Sequence, residues 1–348
     1  MKLHSLSTLA WRRLAPRLVP RLAAGLGLLS SVLAAPLATA QEYPNRPITV
    51  ISPYSTGGDA DAAARTFAAA AQRVLKQPVL VVNRVGASGV IGSAQAIAAA
   101  PDGYTLLLAR TGSQAILPAI QPTATKYKWD DYTFIGLLEL NPYGCIVNAK
   151  SAYKTWDDLV KAIRSKGKSL NFGTAGSLTT NDMGPRLLFK LLNLTPDQTP
   201  TQIPYKGTGD TTMSLVSGHT DFSCGSMGTF LPLVKSGALR ALMTTTTERM
   251  KALPDVPTAR ELGVADMESI VGWSALFGPP NLPIDVRRKL EATLKTISAD
   301  PAWQAGTAQT GSLPMVLSSE ETRAFMQKQY QLYRSLGEQL NLIDAAVQ

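Results

Sequence analysis

Histidine and cysteine are scarce in this 348-residue chain, with two of each, and the scarcity removes whole classes of chemistry. His4 lies near the N-terminus, which leaves His219 as the single imidazole of the remainder. A Ser-His-acid triad or a zinc site needs His or Cys in defined clusters, and no such cluster can be assembled. No catalytic residue, metal or cofactor is expected. Nucleotide signatures are missing as well. The Gly86, Gly89, Gly92 spacing is not G-x-G-x-x-G, and Gly167-Lys168-Ser169 lacks the glycine five positions upstream that a phosphate loop requires. Beyond residue 40 no apolar run approaches the ~18 residues of a membrane span. Lys and Arg are scattered among acidic residues without a basic block, so nucleic acid is not an expected partner.

What is present begins with a leader. Lys2, Arg12, Arg13, Arg17 and Arg21 precede an apolar stretch from Leu22 to Leu37, and the first forty residues contain no acid. That is the layout of a secretory signal peptide over 1–40. Ala38-Thr39-Ala40 supplies the small-x-small cleavage pattern and places the mature N-terminus at Gln41. No cysteine follows the cut, so no lipid anchor is expected, and the residues around Arg12-Arg13 do not fit a twin-arginine signal. Removing the leader takes five positive charges away and lowers the net charge from +9 to +4. The expectation is a soluble, monomeric periplasmic chain of 308 residues. One hydrophobic core usually stops growing near about 250 residues, so two lobes are the default. In an oxidising compartment Cys145 and Cys224 are either a disulfide or two buried thiols, and both readings stay open.

From Gln41 onward, apolar β-rich runs alternate with Ala- or Leu-rich helical stretches, the pattern of an α/β protein with mainly parallel strands. Ile48–Ser52, Val79–Val82 and Tyr104–Ala109 read as strands, with helices over Asp59–Lys76 and Ile91–Ala100 between them. The rhythm resumes after Pro142. Cys145–Asn148, Leu170–Gly173, Gln202–Pro204, Thr220–Ser223 and Leu239–Thr244 read as strands, with helices over Thr155–Lys166, Thr180–Leu192, Gly209–Ser217 and Thr229–Lys235. Trp273–Phe277 is one more apolar run, and beyond Pro279-Pro280 the chain reads as helical to its end. No internal repeat is visible. A chain that crosses between lobes near Leu140 and returns near Trp273 accounts for this order, with 41–140 plus 274–348 as lobe 1 and 141–273 as lobe 2.

Glycine, serine and threonine collect in the turns that leave a strand and enter a helix. Ser55-Thr56-Gly57-Gly58, Gly86-Ala87-Ser88-Gly89, Thr111-Gly112-Ser113, Thr174-Ala175-Gly176-Ser177 and Gly207-Thr208-Gly209 all sit there. In open α/β sheets such turns line the crevice at the carboxyl ends of the strands. They also precede helix N-termini, whose free N–H groups attract anions. Five of them favour an anion cleft over mere turn chemistry. Asp59 and Asp61 open a helix and read first as capping residues rather than as acid-base groups. His219 reads as a surface turn residue.

The run Tyr43-Pro44-Asn45-Arg46-Pro47-Ile48, the segment from Pro53 to Asp61 with Ala64-Arg65, and Asn83-Arg84-Val85-Gly86-Ala87-Ser88-Gly89-Val90-Ile91-Gly92 follow one another in order. Ala100-Pro101-Asp102-Gly103-Tyr104-Thr105-Leu106, Pro204-Tyr205-Lys206-Gly207, Ser236 to Ala241 and Leu253 to Thr258 continue the series. Together they resemble the Bug-type receptors of tripartite tricarboxylate transporters over nearly the whole mature chain. The resemblance implies a type II periplasmic-binding-protein fold, two α/β lobes hinged about a cleft that closes on a small organic anion, and a two-subunit membrane permease as partner. It implies that Ser55, Thr56, Gly57 and Gly58, with Gly86, Ala87, Ser88 and Gly89, hold a ligand carboxylate, partly through water, and Tyr54 and Asp59 flank the first of these loops as further ligand-binding residues. Opposite them it puts Thr174, Ala175, Gly176 and Ser177, with Pro204 and Tyr205.

Two departures from the family pattern bear on the ligand. Arg110 stands where such receptors usually have a small or hydroxyl residue, followed by Thr111 and Ser113, and Gly225, after Cys224, stands where an aspartate is frequent. One cation gained and one anion lost at the cleft edge suit a dicarboxylate, an aromatic one such as terephthalate being the first guess. Tyr54, Phe172 or Trp273 would then supply a flat apolar slot. The plainer alternative has Arg110 pointing to a surface carboxylate and Gly225 as a turn. A periplasmic enzyme on the same fold and a ligand-sensing receptor for a signalling partner are the rival functions.

Overall fold

The computed structural model describes residues 42–344, so the expected signal peptide and its cleavage site lie outside the described residues. In chain order the strands are β1 (Ile48–Ser52), β2 (Val79–Asn83), β3 (Thr105–Arg110), β4 (Thr133–Asn141), β5 (Tyr143–Asn148), β6 (Asn171–Thr174), β7 (Thr201–Pro204), β8 (Phe222–Ser226), β9 (Leu239–Thr244), β10 (Gly272–Gly278) and β11 (Leu313–Leu317). The helices are α1 (Asp59–Leu75), α2 (Val90–Ile97), α3 (Leu117–Ile120), α4 (Pro122–Thr125), α5 (Trp156–Lys166), α6 (Thr180–Leu191), α7 (Thr208–Val216), α8 (Met227–Lys235), α9 (Ile284–Ser298), α10 (Pro301–Gln309) and α11 (Ser319–Gln339).

The strands form two sheets, ordered β11-β4-β10-β3-β1-β2 and β7-β6-β8-β5-β9. The same scheme is used twice. In each, the first parallel strand (β1 or β6) lies between the second and the third, and the third pairs antiparallel with a strand arriving from the other half of the chain. Those arriving strands, β10 and β5, pair on their far sides with β4 and β9. The architecture is two α/β lobes. Pro142 alone separates β4 from β5, and the segment after β9 carries the chain back to β10.

Local chemistry explains the elements. Ile48, Val50 and Ile51 of β1 are buried, the near-continuous apolar run of a strand covered on both faces. Helix α1 buries Ala60, Ala64, Phe67 and Ala71, one helical face whose small side chains let it lie close to the sheet. It stops where Lys76 turns left-handed at φ 55°. Helices α5 and α11 open with capping boxes, Thr155 with Asp158 and Ser318 with Glu321. Cys145 and Cys224 face each other on β5 and β8 and form a disulfide, which settles the question the sequence left open.

Four features differ from the sequence reading. The sheets are mixed rather than mainly parallel: five of the nine strand pairings, all those made by β4, β5, β10 and β11, are antiparallel, because the strands that cross between the halves enter each sheet from the opposite direction. Strand β4 was not anticipated: Gly136 and Glu139 interrupt its apolar run, and its partner β10 lies far along the chain. The chain after Pro279-Pro280 is not wholly helical, because β11 adds an edge strand whose Pro314 is tolerated at the sheet's margin. Residues Gly112–Ile116 form a π-helical turn that runs into α3.

Candidate functional site

The carboxyl ends of β1, β2 and β3 deliver three turns to one edge of the first sheet, and Asp61 braces two of them. Its carboxylate accepts from Gly57 N at 3.1 Å, Arg65 Nε at 2.9 Å and Asn83 Nδ2 at 3.1 Å. Asn83 Nδ2 also donates to Tyr54 O at 3.0 Å, which ties the turn after β1 to the end of β2. Burial works against the Asp61 charge, yet the donors from Arg65, Gly57 and Asn83 hold its carboxyl below the usual carboxylate range. Asp61 is therefore a positioning residue, more than a simple helix cap.

The turns of the two halves touch. Ser88 Oγ donates to Ser177 O at 2.7 Å. Asp59 N donates to Thr208 Oγ1 at 3.0 Å, and that hydroxyl donates back to Asp59 Oδ1 at 2.6 Å. Glycine permits the approach: a Cβ on Gly58 would stand 2.8 Å from Thr208 Oγ1, and one on Gly209 would stand 3.1 Å from Gly58 N. Between the turns lies a cavity of about 20 Å³, room for one water-sized molecule. Tyr54, Asp59, Arg110, Thr111 and Gly112 wall it from the first half, and Tyr143, Ala175, Thr179, Thr180, Asn181 and Thr208 from the second.

Arg110 ends β3 and is 6 % exposed. Its Nη2 pairs with Asp59 Oδ2, its Nη1 donates to Ser274 Oγ, and Glu139 Oε1 lies 4.0 Å from Nη1. Burial opposes the guanidinium charge, but Asp59, then Tyr143 and Glu139, push its pKa up overall. Glu139 accepts from Ser274 Oγ at 2.8 Å and Asn141 Nδ2 at 2.9 Å, yet burial pushes its carboxyl above the ordinary glutamate range. Burial likewise raises the Tyr54 hydroxyl to about 12, and that hydroxyl donates to Ser88 O at 2.9 Å. Arg110 thus reaches the cavity wall as a paired cation. Its partners are buried carboxylates of its own half, not the surface acid of the plainer sequence reading.

Gly225 is a strand residue of β8, not a turn. A Cβ there would collide with Asn181 Nδ2, so the glycine makes room for the Asn181 amide. Asn181 Oδ1 accepts from Tyr143 at 3.4 Å, whereas Asn181 Nδ2 is buried with no hydrogen-bond partner among the described residues. An unpaired buried donor costs about 1–3 kcal/mol unless something accepts from it.

Other expected residues lie around the cavity rather than on its wall. Ser55 is packed against Gly207 with its hydroxyl unpartnered, and Gly89 against Tyr54 and Ser113. Gly86 and Ala87 carry the turn with φ 136° and 46°, and Ala87 is exposed. Thr56, Gly57 and Gly58 border a separate hollow toward α7 and α8. Thr174 is buried behind the wall and takes Gln202 Nε2 at 3.1 Å, while Gly176 meets Ser88. Pro204 and Tyr205 line a shallow hollow with the exposed His219, and Cys224 is in the disulfide. Of the aromatic slot, Tyr54 lines the cavity. Phe172 stacks with Phe222, and Trp273 packs on Phe325 and donates to Gln329 at 3.3 Å. Tyr143, Thr179, Thr180 and Asn181 were missed; they follow the expected Thr174–Ser177 turn or begin the crossing strand β5, and nothing local marks them.

Residues 63–342 match TctC, the tripartite tricarboxylate transporter family receptor. The UPF0065 protein in the TAR-I ttuE-ttuC' intergenic region of Agrobacterium vitis is 34 % identical over 302 residues, 86 % of each chain. Protein BugT of Bordetella pertussis is 30 % identical over 312 residues, covering 88 % of this chain and 93 % of BugT. Among solved structures, periplasmic binding protein BugD superposes with a TM-score of 0.82 at 26 % identity, over 86 % of this chain and 99 % of BugD. MatC from Rhodopseudomonas palustris with bound malate gives 0.79 at 27 % identity, over 85 % of this chain and all of MatC (100 %).

Proposed function

The chain belongs to the tripartite tricarboxylate transporter receptor family, and from that premise we propose that it captures a small organic acid in the cleft between its lobes and delivers it to a two-subunit membrane permease. In this reading the receptor works as a monomer in the periplasm after loss of residues 1–40, and it performs no chemistry on its ligand. The lobes are taken as 41–140 plus 274–348 and 141–273. One observation carries the proposal. Turns from both halves meet around a single polar cavity in which the Asn181 amide donor is unpartnered and Thr111, Thr180 and Arg110 add further donors. Such a surplus of donors calls for an acceptor-rich ligand, and a carboxylate is the small group that meets it best.

Dicarboxylates are the first ligands to test, an aromatic one such as terephthalate included. The malate bound to MatC supports the aliphatic members. The cavity as it stands holds about one water, so the turns must part to admit any of these acids; the rings of Tyr54 and Tyr143 on its wall are then available to an aromatic member. A thermal-shift panel of mono-, di- and tricarboxylates is the direct test, since a ligand at 100 times its Kd adds about 2.7 kcal/mol to stability. Bound acid should be recovered unchanged. A panel in which no acid shifts the melting temperature would overturn the proposal.

A further inference from the structure

We infer that Asp59 is a specificity-determining residue of the cleft: by holding Arg110 it turns one end of the site into a reader of a neutral donor–acceptor group, so that an acid bearing an amide is preferred to the matching diacid. The inference rests on the organic-acid reading above and refines it.

Asp59 and Arg110 are 8 % and 6 % exposed, and both face the cavity. Their ion pair leaves the guanidinium with little net attraction for a second carboxylate. A diacid whose far end reached Arg110 would also meet Asp59, and two carboxylates in contact at a buried site repel strongly.

The hydrogen bonds left over point to what does fit. A guanidinium has five N–H donors. Arg110 commits one to Ser274 and one to Asp59. Asp59 Oδ1 takes Ala60 N at 2.9 Å and the Thr208 hydroxyl at 2.6 Å, while Oδ2 takes only Arg110 among the described residues. Arg110 N–H groups and an Asp59 Oδ2 lone pair are therefore left over on two paired residues that both line the cavity. A primary amide presents the complementary C=O and N–H, without charge. Thr208 fixes Asp59 from the opposite half, so this arrangement belongs to the joined turns and not to one lobe alone. The unpartnered Asn181 Nδ2 is the donor that awaits a ligand oxygen from that half.

The test is calorimetry on full-length mature protein and on Asp59→Asn with three matched pairs: malate and its monoamide, succinate and succinamate, terephthalate and 4-carbamoylbenzoate. The wild type should bind the monoamide of a pair at least about tenfold tighter than the diacid, and Asp59→Asn should shrink that ratio by a similar factor, as expected for one charged contact. A wild type that prefers the diacid, or a ratio unchanged in Asp59→Asn, overturns the inference while leaving the organic-acid reading intact. Failure of every compound to bind either protein sinks both. Should Asp59→Asn not fold, the wild-type ratio decides the matter alone.

Discussion

Valine at position 58 should hold the two lobes apart without disturbing either. Gly58 has φ −85° and ψ 174°, an extended geometry open to any residue, so the substitution strains nothing within its own half. Its own half offers only an ordinary contact, Ser55 O at 3.5 Å, whereas the other half is too close: the Cβ stands 2.8 Å from Thr208 Oγ1 and 3.2 Å from Gly209 N, and the valine methyls reach further. The hydroxyl can rotate aside, but the backbone of Gly209 cannot. Separating the rims breaks the two Asp59–Thr208 bonds, at 3.0 and 2.6 Å, and stretches Ser88–Ser177 at 2.7 Å. A hydrogen bond to a charged group contributes about 1.5–3 kcal/mol, so losing the Thr208–Asp59 contact from the joined form should weaken ligand binding by about one to two orders of magnitude. Small-angle scattering should show a larger radius of gyration for Gly58→Val than for the wild type, with and without malate, and calorimetry the weaker affinity. Circular dichroism should be unchanged. A folded Gly58→Val with wild-type dimensions and affinity would show that these turns do not meet in solution, and would remove Ser55–Gly58 from the site.

Two further perturbations probe the frame around the cleft. Reducing Cys145–Cys224, or replacing both by serine, frees a 79-residue separation, for which loop-closure entropy gives about 4–5 kcal/mol; a denaturant midpoint unchanged by reductant would refute that account. The buried Glu139 has its pKa raised by burial, so the folded protein keeps its proton to higher pH than the unfolded chain does, and stability should fall as pH rises from the ordinary glutamate range through the raised value. Glu139→Gln should flatten that decline in denaturation curves taken upward in pH from the ordinary glutamate range, and an equal slope in both proteins would assign it elsewhere.

The parts of this molecule that were legible in the sequence are those whose physics is local. Ile48–Ser52 and the Leu106 to Ala109 part of β3 announce themselves because central strands buried on both faces are apolar along most of their length. The glycine-bearing turns announce themselves because a strand that ends against a helix start needs small residues there. β11 does not, since an edge strand with Leu313 half exposed and Pro314 within it satisfies no burial pattern. The repeated strand order is equally silent: it is a property of pairing, and the two halves reach it with unrelated residues.

The site divides along the same line, and its charge shows why. Arg110 alone suggests a free cation, and Gly225 alone suggests a missing anion, so a reading residue by residue makes the cleft positive. The guanidinium's actual partners stand 51 and 164 positions away, at Asp59 and Ser274, brought to it by a helix start and by the antiparallel register that sets Ser274 opposite Arg110. In the sequence Asp59 reads as a helix-opening acid, which it is, but the same placement at the first residue of α1 brings its carboxylate to Arg110 at the end of β3. The charge that Arg110 brings is thus cancelled by an acid from a different segment, and the volume that an aspartate at position 225 would need is filled by Asn181, a neutral donor. Sign and polarity of the cleft are therefore pair properties. A relative carrying Arg110 without Asp59 should present a free guanidinium and favour diacids, and exchanging the two residues together, not singly, is what should move the preference between relatives.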